Sequence, residues 1–393
     1  MIGRQDVLDR AAEWRLRAEV VEKDYVLGWL LAGIGINPGT ATTWVFKGGT
    51  CLKKCFFETH RFSEDLDFSL LPQAEYDEEA LKAQLIQVGT TVTELSGVDF
   101  LVDQMMVLPR QNKAGQRTFE IRLEYRGPLG GPSRPKVRLD LTRHEPVMDP
   151  ARRRSIEHAY PDQLPSDAGI LTYSLAELVA EKTRALSERT LPRDLYDVVL
   201  ILDNYAEQLD VALARGLFAK KCRSKGFDPP SSNELVEIVQ AAAELRAEWA
   251  NMLAHQLPQL PDVEIIVTRL APLLAWIDEE VPVRAPVLAS ASLGAHRDGI
   301  LEAPRAARYW GLGLPLESVR FAGANRLLIE FRYDGKQRVV EPYSFRRPRT
   351  GNLLLYGWEL GSTHIKAFNV ARISGFGVTN RVFAPRYRVE FGS

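Results

Sequence analysis

Apolar positions change their spacing along the chain, and each change predicts an element. Residues 43–46 form a short apolar run that ends at Gly48-Gly49, a strand closing on a turn, and 51–58 then take a helical spacing. From Arg61 the chain reads Arg-Phe-Ser-Glu-Asp-Leu-Asp-Phe, in which apolar and polar residues alternate as on a half-buried strand. The same alternation returns at 118–125 and 136–142, on either side of a Gly-Pro-rich segment at 127–135, so these two runs predict a hairpin. Beyond residue 174 the period becomes helical: Leu175, Leu178, Val179, Lys182 and Leu186 share a stripe, and a second helix starts after Pro192. Residues 232–257 predict one long amphipathic helix, opened by a Ser231-Ser232-Asn233-Glu234 capping signal after Pro229-Pro230, and 263–277 predict another. Near the C-terminus the period shortens: 326–333, a turn at Asp334-Gly335, 337–342, 353–360 and 364–370 predict strands.

Between these regimes lies 281–304, rich in Pro, Ala, Ser and Gly. It predicts a linker, dividing the chain into a 1–280 domain, a 281–315 linker and a 316–393 β domain. Charge follows the division. The net charge is −1, yet residues 284–393 hold 17 Lys and Arg against 8 Asp and Glu, leaving 33 against 43 for the rest. An acidic body with a basic tail suggests a polyanion, nucleic acid foremost, at the tail. With 45% hydrophobic and 26% charged residues, the composition is that of a globular protein long enough for two domains. No stretch reaches the ~18 uninterrupted apolar residues of a membrane span, and the N-terminus opens with charge. The three cysteines fit neither a disulfide framework nor a zinc pattern, so Cys51 and Cys55 are expected as reduced packing residues. Histidine spacing suggests no metal site, and no Ser-His-Asp or Cys-His hydrolase pattern is present. A soluble, cytoplasmic protein with no membrane partner is expected.

The chemistry concentrates between Lys47 and Phe68. A Gly-Gly-Thr turn running into a helix can hold phosphates on backbone N–H groups. Asp65 and Asp67, two apart on a strand, point to one face and can clamp a divalent cation, although an isolated Asp-x-Asp is more often a solvated strand end. Asp140, on the predicted strand 136–142, is the candidate third carboxylate, which in two-metal phosphoryl transfer comes from a neighbouring strand.

The order strand, Gly48-Gly49-Thr50, helix, Ser63-x-Asp65-x-Asp67 resembles the nucleotidyltransferase fold, specifically the AbiEii toxin family and its MenT relatives, whose signature is Arg-x-Ser-x-Asp-x-Asp. The resemblance implies an α+β fold: a polymerase-beta-like mixed sheet with a helical subdomain. It extends to Lys182 and to Arg193-Asp194-Leu195-Tyr196-Asp197, matching the family's lysine followed by Arg-Asp-x-x-Asp. Glu22-Lys23-Asp24-Tyr25 is similar to its N-terminal motif; here a helix packing Tyr25, Leu27, Trp29 and Leu30 into the core is expected, with Lys23 in reach of a nucleotide. By this resemblance Lys47, Gly48, Gly49, Thr50, Arg61, Ser63, Lys182 and Arg193 bind a nucleoside triphosphate. Asp65, Asp67 and Asp140 hold two Mg²⁺, and Ser63, Asp65, Asp67, Asp140, Lys182, Asp194 and Asp197 form the catalytic set. The implied reaction moves a nucleoside monophosphate to an RNA 3′ end, tRNA first, in a toxin–antitoxin or phage-defence setting with a neighbouring antitoxin as partner. Protein nucleotidylation, or a non-catalytic nucleic-acid-binding regulator, are the alternatives.

The tail has its own resemblance. Segments 328–335, 338–345, 365–373 and 383–385 follow the pattern of a WYL domain, which implies a small Sm-like β barrel binding nucleic acid or a small ligand. Where the name-giving Trp-Tyr-Leu would stand, near Gly351, the chain has Asn352-Leu353-Leu354-Leu355-Tyr356. Arg332, Tyr333, Arg346, Lys366 and Arg372 are the phosphate-binding and stacking candidates.

Overall fold

The computed structural model describes residues 1–58, 60–112, 114–278, 315–348 and 352–391. The expected linker, up to residue 314, and Gly351 lie outside them. The chain divides into two compact units, residues 1–12 with 16–181, and 13–15 with 182–393. No helix among the described residues is long and apolar enough to cross a membrane.

In the first unit an eight-stranded mixed sheet is built from β1 (Trp44–Lys47), β2 (Asp65–Leu70), β3 (Asp99–Phe100), β4 (Met106–Gln111), β5 (Arg117–Arg126), β6 (Lys136–Thr142), β7 (Arg152–Ser155) and β8 (Gly169–Thr172). The order is β3-β5-β6-β2-β1-β8-β7, with β4 also beside β5. β5 and β6 form the expected antiparallel hairpin, while β2 runs parallel to β6 and β1 parallel to β8. Alternation sorts the faces: Phe46, Leu66, Phe68, Ile121, Leu139 and Leu141 are buried, and burying each such side chain contributes about 1.5–3 kcal/mol. Asp65, Asp67, Glu120, Arg138 and Asp140 take the intervening positions.

Helices α1 (Arg4–Trp14), all but its last two residues, α2 (Ala18–Ile36), α3 (Gly48–Cys51) and α4 (Glu78–Ser96) complete this unit. α2 is buried almost all round, including Tyr25, Leu27, Trp29 and Leu30, as its unbroken apolar run requires. The helix expected over 51–58 instead starts at Gly48 and continues as a π turn, Leu52–Phe56, before Phe57 becomes extended. Gly48, at φ +81°, turns β1 directly into this helix, which a side chain would resist. Cys51 and Cys55 are buried here, and with Cys222 carry no disulfide.

The second unit is helical and then β. α5 (Leu175–Arg189) spans the boundary between the units, and α6 (Pro192–Tyr205), α7 (Val211–Ser224), α8 (Ser232–Ala241), α9 (Ala243–Leu253) and α10 (Val263–Leu273) follow. The predicted capping box forms at Ser231 and Glu234, but the single helix expected over 232–257 is broken at Ala242, whose ψ is 87°. The Arg246 guanidinium explains how that break is tolerated: it donates to the carbonyls of Val239, Gln240 and Ala242 at 3.1–3.3 Å, satisfying the end of α8 from inside α9. The run at 263–277 likewise ends as a helix at Leu273, followed by a 3-10 turn.

In the tail, α11 (Leu316–Ala324) precedes β9 (Leu327–Tyr333), β10 (Lys336–Arg346), β11 (Leu354–Glu359), β12 (Lys366–Asn369) and β13 (Ile373–Val382). The sequence patterns missed α11 and β13. The strands pair antiparallel in the order β12-β11-β10-β9-β13. The expected Sm-like barrel is therefore not what the described strands form, because β12 and β13 remain the two edges of an open sheet.

One close approach fixes α2 against the sheet. A Cβ on Gly35 would lie 2.1 Å from the Gly169 carbonyl oxygen, a backbone atom that no rotamer change can move. Gly35→Ala is expected to lower stability by about 1–3 kcal/mol, measured by urea unfolding; an unchanged midpoint would show that helix and strand separate freely.

Candidate active site

The parallel register of β2 on β6 sets Asp67 directly beside Asp140 and Asp65 beside Arg138. Side chains two apart on a strand share a face, so three carboxylates collect on one patch of the sheet. Arg138 stands among them, bonded to Asp65 at 2.5 Å and 3.4 Å from Asp140. Across the hairpin Glu120 is the register partner of Asp140, and Glu120 pairs with Arg122 at 2.6 Å. Burial pushes the pKa of Asp140 up to about 6, and the charge on Asp67 adds to it, while Arg138 works against both. The Arg138 pKa also rises, but for another reason: burial would lower it, and Asp65, Asp140 and Asp67 outweigh that burial.

At the end of β1, Lys47 is the register partner of Asp67. Its ammonium pairs with Glu145 and lies 5.8 Å from the Tyr173 ring centroid. Burial alone would depress this lysine's pKa; Glu145 outweighs it and holds the lysine charged. Next, Gly48 passes so near Asp67 that a Cβ there would meet Asp67 Oδ2 at 2.3 Å. A Cβ on Gly49 would meet Arg61 Nη2 at 2.5 Å, so the two glycines let a carboxylate and a buried guanidinium close onto the turn. Thr50 Oγ1 donates to the Asp65 carbonyl at 2.5 Å, tying the turn to β2. Ser63 is half-buried just before that strand.

The N-terminal motif is built into the same unit. Asp24 accepts from Lys54 at 2.7 Å and from Tyr160 at 2.9 Å, Tyr25 donates to Asp162 at 2.6 Å, and Lys23 reaches Glu64 at 3.3 Å. Burial lowers the pKa of Lys54, though Asp24 opposes it. The packing role expected for this helix is what the contacts show.

In the second unit, Lys182 is buried rather than extended to solvent, with Nζ 3.2 Å from Asp194 and 2.8 Å from Asp197. Arg189 adds a bond to Asp194 at 2.8 Å. Burial would raise the Asp194 pKa, but Lys182 and Arg189 hold it below the usual carboxylate range. The motif spacing thus brings Lys182, Asp194 and Asp197 into one knot, with Arg193 half-buried beside it in sequence.

The tail candidates fall into separate places. Arg372 lies over Tyr333 at 5.1 Å and pairs with Asp334. Lys366 pairs with Glu359, Arg346 pairs with Glu390, and Arg332 is exposed on β9. Sequence reasoning missed Arg138, Glu120 and Glu145. The alternation of β5 and β6 signalled the first two as neighbours of Asp140, but Glu145 lies past β6 and carried no pattern.

Among the described residues, no group of three His, Cys, Asp or Glu side chains is placed to hold a metal ion; Arg138 engages two of the three carboxylates instead. The donor chemistry nonetheless fits a hard divalent cation, since every candidate ligand is a carboxylate oxygen and their mutual repulsion is what a cation relieves.

The family model described as nucleotidyl transferase AbiEii toxin, type IV toxin–antitoxin system, matches residues 29–279. Among solved structures, MenT4, a nucleotidyltransferase toxin from Mycobacterium tuberculosis H37Rv, is similar at 23% identity and a TM-score of 0.47, over 72% of this chain and 91% of that one. No curated protein matches in sequence.

Two outcomes are expected. Asp140 has a folded-state pKa above its ordinary 3.8, so its protonated form adds stability fully below pH 3.8, and that stability is lost as pH rises through about 6. Asp140→Asn should therefore melt higher than the parent above pH 6 but not below pH 4. Because the Asp140 side chain is 45% exposed, the gain is at most about 1 kcal/mol; an equal gain at both pH values would contradict the repulsion. Lys182→Met strips a buried cation from two buried aspartates and should cost about 3–5 kcal/mol in urea unfolding. A loss below about 1 kcal/mol would show that the knot does not hold the helices.

Proposed function

Because the chain belongs to the AbiEii family of nucleotidyltransferase toxins, we propose that the carboxylate patch of its first unit transfers a nucleoside monophosphate from a triphosphate to an RNA 3′ end, tRNA first. The observation that carries this reading is the register match of Asp67 with Asp140, flanked by Asp65 and closed by Lys47 and Gly48. In it Asp65, Asp67 and Asp140 hold two Mg²⁺, which when bound supply charge neutralisation and in-line orientation for phosphoryl transfer. Lys47, the Gly48-Gly49-Thr50 turn, Arg61 and Ser63 hold the phosphates: the lysine is kept charged by Glu145, and the glycines leave room for an anion against backbone.

The acceptor hydroxyl oxygen attacks the α-phosphorus as the bond to the pyrophosphate oxygen breaks. Asp140 assists the nucleophile by taking the hydroxyl proton. Arg138 keeps the three carboxylates compatible before substrate arrives, and its exposed guanidinium, 46% accessible, has solvent to swing into. A basic C-terminal module bearing Arg332, Tyr333, Arg346, Lys366 and Arg372 binds a nucleic acid or small ligand in this reading, and an antitoxin restrains the enzyme.

Incubation with total RNA and α-labelled triphosphates is expected to label an RNA species, and Asp65→Ala, with unchanged circular dichroism, to abolish labelling. Undiminished transfer by that variant would sink the assignment, and label appearing in protein alone would replace the RNA acceptor with a polypeptide. In melting experiments with Mg²⁺, the triphosphate it uses, at ~100 times its dissociation constant, should stabilise the chain by roughly 2.7 kcal/mol; no shift with any triphosphate would favour a non-catalytic role.

A further inference from the structure

Where α6 meets the C-terminal sheet there is a cavity of about 170 Å³. Asn204 and Tyr205 at the end of α6, Gln208 after it, Arg346 at the end of β10, and Arg388 and Glu390 near the C-terminus line it. None of these belongs to the carboxylate patch of the first unit, and the transfer reaction uses none of them.

The walls are bonded to each other. Asn204 Nδ2 donates to the Ala324 carbonyl at 3.0 Å as well as to Leu200 in its own helix. One residue earlier, Asp203 receives both Arg269 and Arg326, the latter at 3.3 Å, and Arg326 also donates to the Asp203 carbonyl at 3.1 Å. Arg326 sits at φ +60°, a conformation that persists only where the surroundings hold it. A cavity with walls fixed in this way needs little reordering to receive a ligand.

Its charge selects the ligand. The lining contributes two guanidinium groups and one carboxylate, and a second carboxylate, Glu207, pairs with Arg388 from outside the lining. Arg346 is nearly covered, 14% exposed, and its pairing with Glu390 fixes the plane of its fork; Arg346 Nη1 also donates to the neighbouring Phe345 carbonyl. Arg388 pairs with Glu207 at 2.6 Å at the rim, where both side chains are about half exposed, 48% and 53%. An exposed pair of that kind contributes about 0–1 kcal/mol, so Arg388 is easily recruited by a stronger anion. Guanidinium forks match the oxygens of a phosphate in geometry as well as charge. The volume corresponds to about five or six water molecules, enough for a phosphate group but not for a whole nucleotide out of solvent.

We infer that this cavity binds a phosphate group, as inorganic phosphate or as the phosphate of a mononucleotide whose base stays outside, with Arg346 and Arg388 as its cations. Isothermal titration of the full chain with inorganic phosphate, and separately with adenosine 5′-monophosphate, tests it. Saturable heat is expected, weakened at least about tenfold in Arg346→Gln, less in Arg388→Gln, and retained in Lys47→Ala, whose change lies in the first unit. Binding of inorganic phosphate identifies the free ion as sufficient, whereas binding of the mononucleotide alone identifies the ester. Heat from neither ligand, or heat kept in Arg346→Gln and lost in Lys47→Ala, overturns the assignment. Should Arg346→Gln melt early, the rim variant Arg388→Gln carries the test: unchanged binding in it then overturns the two-cation site.

Discussion

Like charges side by side on adjacent strands are the constraint around which the first unit is organised. The parallel pairing of β2 with β6 cannot slip by one residue without turning Leu66 and Phe68 out of the core, so the apolar face forces Asp67 to stay beside Asp140. The electrostatic strain of that pairing is visible in the raised pKa of Asp140, and the Arg138 guanidinium on β6 works against it. Hydrophobic burial on one side of the sheet thus holds in place, on the other, an arrangement that electrostatics alone would disperse. The glycine turn follows from the same constraint, because a Cβ at Gly48 would meet the Asp67 carboxylate.

The second unit uses charge differently. Lys182, Asp194 and Asp197 are all buried, and each carboxylate has a cation within hydrogen-bonding range. A buried pair of this kind adds little net stability compared with apolar packing, yet is costly to break. What it specifies is alignment: α5 and α6 can pack in only one register.

Much of this was legible in the sequence wherever period and chemistry coincide. The alternation of 118–125 and 136–142 gave the hairpin, and Asp-x-Asp gave the shared face, because strand geometry leaves no other choice. Ser231 and Glu234 announced a helix start through local hydrogen bonds alone. The break at Ala242 was invisible because the apolar spacing runs through it; the bonds from Arg246 that compensate it come from the next helix and depend on three-dimensional placement. Arg138 was hidden for a related reason. On sequence it is one more charged residue on the outer face of a strand, and its role exists only once β2 is laid beside β6. The tail strands were legible as strands, but whether a sheet closes depends on edge pairing, which no local pattern records, and α11 and β13 were missed altogether.

α6 is held at both ends by polar bonds of fixed direction. Near its start Asp197 meets Lys182, and near its finish Asp203 and Asn204 meet Arg326 and the Ala324 carbonyl. Since each helical residue turns the chain by about 100°, a one-residue insertion or deletion between Val198 and Leu202 would point one set of partners away from its mates, whatever the inserted side chain. The helix is in effect a ruler: substitutions along its middle are constrained only by packing, but its length is not free to drift, and homologous chains that keep both ends should keep the spacing between them.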